Sequence, residues 1–334
     1  VVGGHLSHLP THHDEGEFVT RAAAEAPGSR LEPAAPARRR WKLSWSGTGL
    51  ALLLVAGVAV NQYPAVASWV AQYHQSQLIS DVASAEVHQS AQHLETELDR
   101  ARAYNEQLVG GALVAANDRL PTSDAGPVGG YDYNALLDAT PDKVMGRLRI
   151  PAIDVDLPIY HGTDDVTLTK GVGHLEGTSL PVGGTSQHTV LTAHRGLPQA
   201  TLFDDLDKVV VGDTFTIELF GEVLTYRVVT TQVVQPDQNQ ALNPVYGRDL
   251  ATLVTCTPLG INSHRILVTG ERVLPTPVQD LQAAGQPPDI PGFPWWTVVI
   301  AGALTAAALI VRRTGYPPAR RPNRALRGDT GATS

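Results

Sequence analysis

Apolar positions follow three regimes along the chain. Gly49–Val60 is almost wholly apolar and continues through Asn61, Gln62 and Tyr63 to Val70, long enough to span a bilayer, which takes about 20 residues. A second uncharged run opens at Trp295-Trp296, continues to Val311 and is closed by Arg312-Arg313. From Val70 to Leu108 the pattern is helical. Val87, Ala91, Leu94, Leu98, Ala101 and Leu108 fall on one seam, interrupted by Asn105. That face is short and Ala-rich, which favours docking on a neighbouring domain over a free coiled coil. After Met145 the period shortens to that of strands. Leu148 and Ile150 alternate with arginines, and Val155–Tyr160 follows Pro151. Phe215, Ile217 and Leu219 share a face of Thr214–Leu219, Gly221-Glu222 fits a hairpin turn, and Val223–Val234 runs back. Leu250–Thr257 and Arg265–Gly270 complete the set. Many short strands separated by turns predict a mainly β fold, a closed antiparallel barrel.

These shifts divide the chain. Residues 1–42 read as a disordered tail, 43–70 as a first transmembrane helix and 71–109 as a helical extension. The loop 110–130 carries two Gly-Gly pairs with Pro121 and Pro127. Tyr131–Leu137 is expected to be a short helix or turn leading into a β-barrel domain over 131–275. A linker over 276–294, a second transmembrane helix over 295–311 and a basic tail over 312–334 follow.

Charge gives the two apolar runs a direction. Arginines precede the first and follow the second, so the positive-inside rule places both termini in the cytoplasm and the barrel outside. The net charge of -8 argues against general nucleic-acid binding. A single cysteine among 334 residues excludes an intramolecular disulfide framework and a cysteine-rich zinc site. The N-terminal His5, His8, His12 and His13 read as solvated, His161 and His174 as satisfied polar residues, and Asp204, Asp205 and Asp207 as solvated acids. No metal or cofactor is expected.

Cys256, the lone thiol, shares a strand face with Thr252 and Val254 and precedes Pro258. Most free cysteines are small buried hydrophobes. His194, however, ends a run in which Val190 and Thr192 share its face, and Arg265 begins the next strand after the cysteine. An adjacent imidazolium lowers a thiol's pKa from about 8.5, and a guanidinium can stabilise the oxyanion of a tetrahedral intermediate. His264 is read as structural or substrate-lining.

Thr252-Leu253-Val254-Thr255-Cys256-Thr257 with Asn262-Ser263-His264-Arg265 resembles the signature of the sortase family. Thr192-Ala193-His194-Arg195-Gly196-Leu197-Pro198 resembles the histidine motif of its class C, pilus-assembling branch. Met145–Pro151, Leu157–Thr163 and Gly171–Thr178 add supporting matches, so the resemblance covers roughly 87–272. It implies a cysteine transpeptidase on the outer face of the plasma membrane of a Gram-positive bacterium. Cys256 would cleave an LPXTG-like sorting signal of a secreted pilin or surface protein, His194 would act as acid and then base, and Arg265 would hold substrate or oxyanion. The acceptor would be a pilin lysine; a housekeeping sortase would use a cell-wall amine, and a barrel without catalysis would only bind surface proteins. Class C enzymes commonly carry an Asp-Pro-aromatic lid. Here the matching loop reads Asn117-Asp118-Arg119-Leu120-Pro121, in which Asp118 would pair with Arg265 and Leu120 would cover Cys256.

Overall fold

A computed structural model describes residues 40–108, 130–138, 143–288 and 290–316, without the side chain of Val87. The lid-like loop, with Asp118 and Leu120, lies outside the described residues. Every described helix and strand belongs to one compact unit, Leu43–Gly315.

Helix α1 runs from Trp45 to His88. It continues unbroken through the position where the apolar pattern separated a span from an extension, because Asn61, Gln62 and Pro64 do not end the helix. Helix α5, Trp295–Thr314, lies along its first half. A Cβ on Gly47 would fall 1.9 Å from Thr314 Oγ1, so the bare glycine permits the close approach at one end of this pair. At the other end Trp69 donates from Nε1 to the Gly292 carbonyl at 2.9 Å and meets the Trp296 ring edge-on. The helix from Gly47 to Trp69 extends roughly 33 Å, close to a bilayer's hydrocarbon core of about 30 Å. The apolar stretches of both helices are almost uncovered by protein.

Beyond this hairpin α1 docks on the barrel. Leu78 and Val82 pack with Val144 and Tyr160, and Glu86 accepts the Phe220 amide at 2.7 Å. Helix α2, Ala91–Gln107, buries Leu98, Ala101 and Tyr104 on the barrel. Asn105, the apparent interruption of its seam, pairs with Leu180 through both amide atoms: Nδ2 donates to the carbonyl at 3.0 Å and Oδ1 accepts the N–H at 2.7 Å. A one-turn 3₁₀ helix at Tyr133–Ala135 then brings Tyr133, Leu136 and Leu137 into the core.

Eight strands close the barrel in the order β1-β2-β3-β4-β7-β8-β6-β5. They are β1 Val144–Ile150, β2 Val155–His161, β3 Val172–His174, β4 Gln187–Thr192, β5 Thr214–Leu219, β6 Glu222–Val234, β7 Asp249–Thr257 and β8 His264–Arg272. Closure is as the strand pattern predicts, but β2 with β3 and β4 with β7 are parallel. Helix α3, Asp165–Lys170, makes the crossover between β2 and β3. The β5–β6 turn is Phe220-Gly221, one residue earlier than the sequence suggested; both have positive φ, as a type I′ hairpin turn requires. Alternating positions fill the interior with Leu148, Ile159, Leu191, Phe215, Ile217, Leu253 and Val268. The stretch read as a linker contains α4, Val278–Ala283, held by Arg149 donating to the Ala283 carbonyl at 3.0 Å and by Thr225 Oγ1 donating to Asp280 at 2.7 Å.

Candidate active site

Strand alternation puts Ala251 and Leu253 in the barrel interior, while Val254 packs on the opposite face with Leu175, Val190, Leu242 and Leu267. Cys256 belongs to this second face. Register brings the other two candidates to it. Cys256 is opposite Arg265 across the antiparallel β7–β8 pair, where facing Cβ atoms are about 5 Å apart. In the parallel β4–β7 pair Thr192 is level with Val254. Past the end of β4 the chain stays attached, with the Ala193 amide donating to the Val254 carbonyl at 3.2 Å and Thr255 Oγ1 donating to the Ala193 carbonyl at 2.8 Å. Two residues on, His194 is therefore level with Cys256. Backbone register thus sets Cys256 opposite Arg265, with His194 just past the end of the adjoining strand β4.

Each group has a distinct setting. Cys256 is buried, and burial pushes its thiol above the ordinary value although Arg265 opposes the shift. This corrects the expected lowering: desolvation of the thiolate outweighs the cation. His194 is partly covered, and burial lowers its pKa against the opposing influence of Asp165, whose Oδ1 lies 3.8 Å from Nε2. Burial therefore disfavours the charged form of both groups. Arg265 Nη1 donates to the carbonyls of Asn262 at 2.9 Å and His264 at 3.1 Å. Backbone acceptors at the start of β8 and just before it thereby hold one end of the guanidinium.

A brace absent from the sequence pattern holds the histidine loop. The Asp204 carboxylate accepts the Gly196 amide at 2.5 Å, and Asp207 pairs with Arg195 at 2.8 Å. Arg195 is nearly covered; it donates from Nε to the Asp204 carbonyl at 2.8 Å and from Nη1 to Thr257 Oγ1 at 3.3 Å. It therefore ties the loop after His194 to the residue after Cys256. Asp204 is a structural partner, not the solvated acid expected; Asp207 and Asp205 remain about half exposed, as read, while pairing with Arg195 and, at 2.8 Å, with Lys208. Gly196 has φ of 77°, the left-handed region that favours glycine, and a Cβ there would meet the end of the exposed Leu259 side chain at 2.6 Å.

Four other described histidines make hydrogen bonds within the protein. His174 bonds Tyr133 Oη at 2.8 Å and the Ser179 carbonyl at 2.9 Å; His161 bonds the Leu136 carbonyl at 2.7 Å. His188, unmarked in the sequence, bridges the Asn243 carbonyl and Thr252 Oγ1. His264 bonds its neighbour Ser263. Among the described residues no cluster of His, Cys, Asp and Glu suits a metal ion.

A thiol, a guanidinium and an imidazole are thus carried at the ends of adjoining strands β7 and β8 and just past the end of β4. Comparison with known proteins gives the chain a family. The Sortase domain model matches residues 148–273. Sortase D of Bacillus subtilis is 32% identical over 134 residues, 39% of this chain and 65% of that protein, so the chain spans just under two thirds of that relative. Sortase C-1 from Actinomyces oris is 49% identical in its crystal structure, the match covering 55% of this chain and 98% of that one with a TM-score of 0.50. Sortase C from Streptococcus pneumoniae is 38% identical over 59% of this chain and 96% of that one, with a TM-score of 0.53. The chain belongs to the sortase family of cysteine transpeptidases, with class C sortases among its structural neighbours.

Proposed function

We propose that this protein is a membrane-anchored transpeptidase that joins a secreted pilin, through an LPXTG-like sorting signal, to the lysine of another pilin. The observation that supports the reading is the strand register, which pairs Cys256 with Arg265 and ends β4 at Thr192, level with Val254 and two residues before His194. The pneumococcal Sortase C, described for its pilin substrate specificity, supports the choice of substrate.

Cys256 Sγ attacks the threonine carbonyl of the Thr–Gly bond. The negative charge that develops on the carbonyl oxygen is held by Arg265, a charge-assisted donor. The C–N electron pair leaves with the glycine nitrogen, which takes a proton from His194, and a thioester remains. In the second half a lysine amine attacks that thioester and gives its proton to His194. The thiolate leaves and an isopeptide bond forms. The reactive thiolate–imidazolium pair is a minority of the resting enzyme, because burial disfavours both charged forms.

The two apolar helices would anchor the protein, with Trp69, Trp295 and Trp296 at the outer interface and Arg312 and Arg313 at the inner one. The test supplies a sorting-signal peptide together with a second peptide bearing one lysine. An isopeptide-linked product is expected from the native protein and none from Cys256→Ala. Transfer only to small cell-wall amines would refute the pilin assignment.

A further inference from the structure

The turn of α1 that follows the apolar hairpin reaches His194 from two sides. Gln75, buried, donates from Nε2 to the Lys170 carbonyl at 3.0 Å. That carbonyl ends α3, where backbone acceptors lack partners within the helix. The first residue of the same helix is Asp165, the carboxylate 3.8 Å from His194 Nε2. One turn earlier, Gln72 donates to Thr201 Oγ1 at 2.9 Å. Two residues beyond Thr201 the Phe203 amide donates to the His194 carbonyl at 3.1 Å. Beside these contacts lies a cavity of about 600 Å³ bordered by Gln72, Gln75, Leu202, Asp204 and Ile290. Ala71 packs on the core near here, and the next turns of α1 dock Leu78 and Val82 on Val144 and Tyr160.

We propose that Gln75, assisted by Gln72, is a positioning residue for the transfer reaction. The anchoring helix holds α3 and the histidine loop at the spacing His194 needs. This rests on the acid–base role of His194 proposed above.

The test uses the full chain in lipid nanodiscs, with Gln75→Leu and the double variant Gln72→Leu/Gln75→Leu. Turnover number is expected to fall on the order of tenfold, since small displacements of a catalytic group cost this much or more. KM should stay within about twofold, as when an interaction specific to the transition state is lost. Hydrogen exchange should quicken in the segment 194–205, whose reporter is the Phe203 amide, and not across the barrel. Gln72→Glu in the Gln75→Leu background should regain part of the lost rate, because the Thr201 hydroxyl can donate to the new carboxylate. Unchanged turnover with unchanged exchange would overturn the proposal, as would faster exchange throughout the barrel. If the native protein turns over no sorting-signal peptide while exchange still quickens only in 194–205, the positioning contact stands and the transpeptidase reading fails.

Discussion

At Cys256 two influences compete: loss of water raises the thiol's pKa, the Arg265 guanidinium lowers it, and the first is larger. The thiolate fraction should therefore keep increasing at alkaline pH. Labelling of Cys256 by an uncharged alkylating reagent is expected to accelerate past about pH 8.5, the unperturbed value. A rate already level at pH 7 would mean a preformed thiolate instead. The three candidate residues stood out in the sequence because a lone cysteine, a histidine and an arginine each lay at or near the end of a period-two run. Arg195, Asp204 and Asp207 did not. Their contacts depend on how a loop turns back on itself, and no periodicity records that path. The sign of the thiol shift was hidden for a related reason: proximity of an arginine can be read from spacing, while the degree of desolvation cannot.

Among the elements, α2 shows how a polar residue on an apolar seam can strengthen docking. Asn105 satisfies the buried N–H and C=O of Leu180 together. Asn105→Leu leaves both without those partners and is expected to cost roughly 2–4 kcal/mol, read from the shift in urea midpoint at constant m-value. A shift equivalent to under about 0.5 kcal/mol would show that water replaces the amide. The sequence marked Asn105 as a defect because helical periodicity counts hydrophobicity and not the acceptors on the partner surface. Strand positions were readable to within a few residues except for β3, Val172–His174, which was not read as a strand. The two parallel pairings were not readable, since side chains alternate with the same period in either orientation. The one-residue shift of the β5–β6 turn has a local cause: Phe220 takes the left-handed conformation while its side chain is buried and its amide is bound by Glu86.

For the molecule as a whole, buried histidines predict a loss of stability in acid. His174 is wholly buried, and burial, reinforced by His161 and opposed by its bond to Ser179, lowers its pKa to about 4 from an ordinary 6.5. The folded state therefore resists a proton that the unfolded chain accepts. Stability from this group is unchanged above about pH 6.5 and declines as the pH falls toward 4; the difference between the two values is worth about 3 kcal/mol. Denaturant titrations at pH 7 and pH 4 should show His174→Gln losing less over this interval than the native protein by about that amount. Equal losses would assign the acid sensitivity to other groups. The same barrel that excludes water from His174 brings the ends of β4, β7 and β8 together, so the stability of the closed sheet and the alignment of His194, Cys256 and Arg265 have a common origin. The most direct test of that alignment is the mass of the protein quenched in acid after brief exposure to an LPXTG-containing peptide. A covalent adduct of the peptide's N-terminal fragment is predicted on Cys256, sensitive to hydroxylamine and absent from Cys256→Ala; an unmodified Cys256 in protein that still cleaves the peptide would contradict the account.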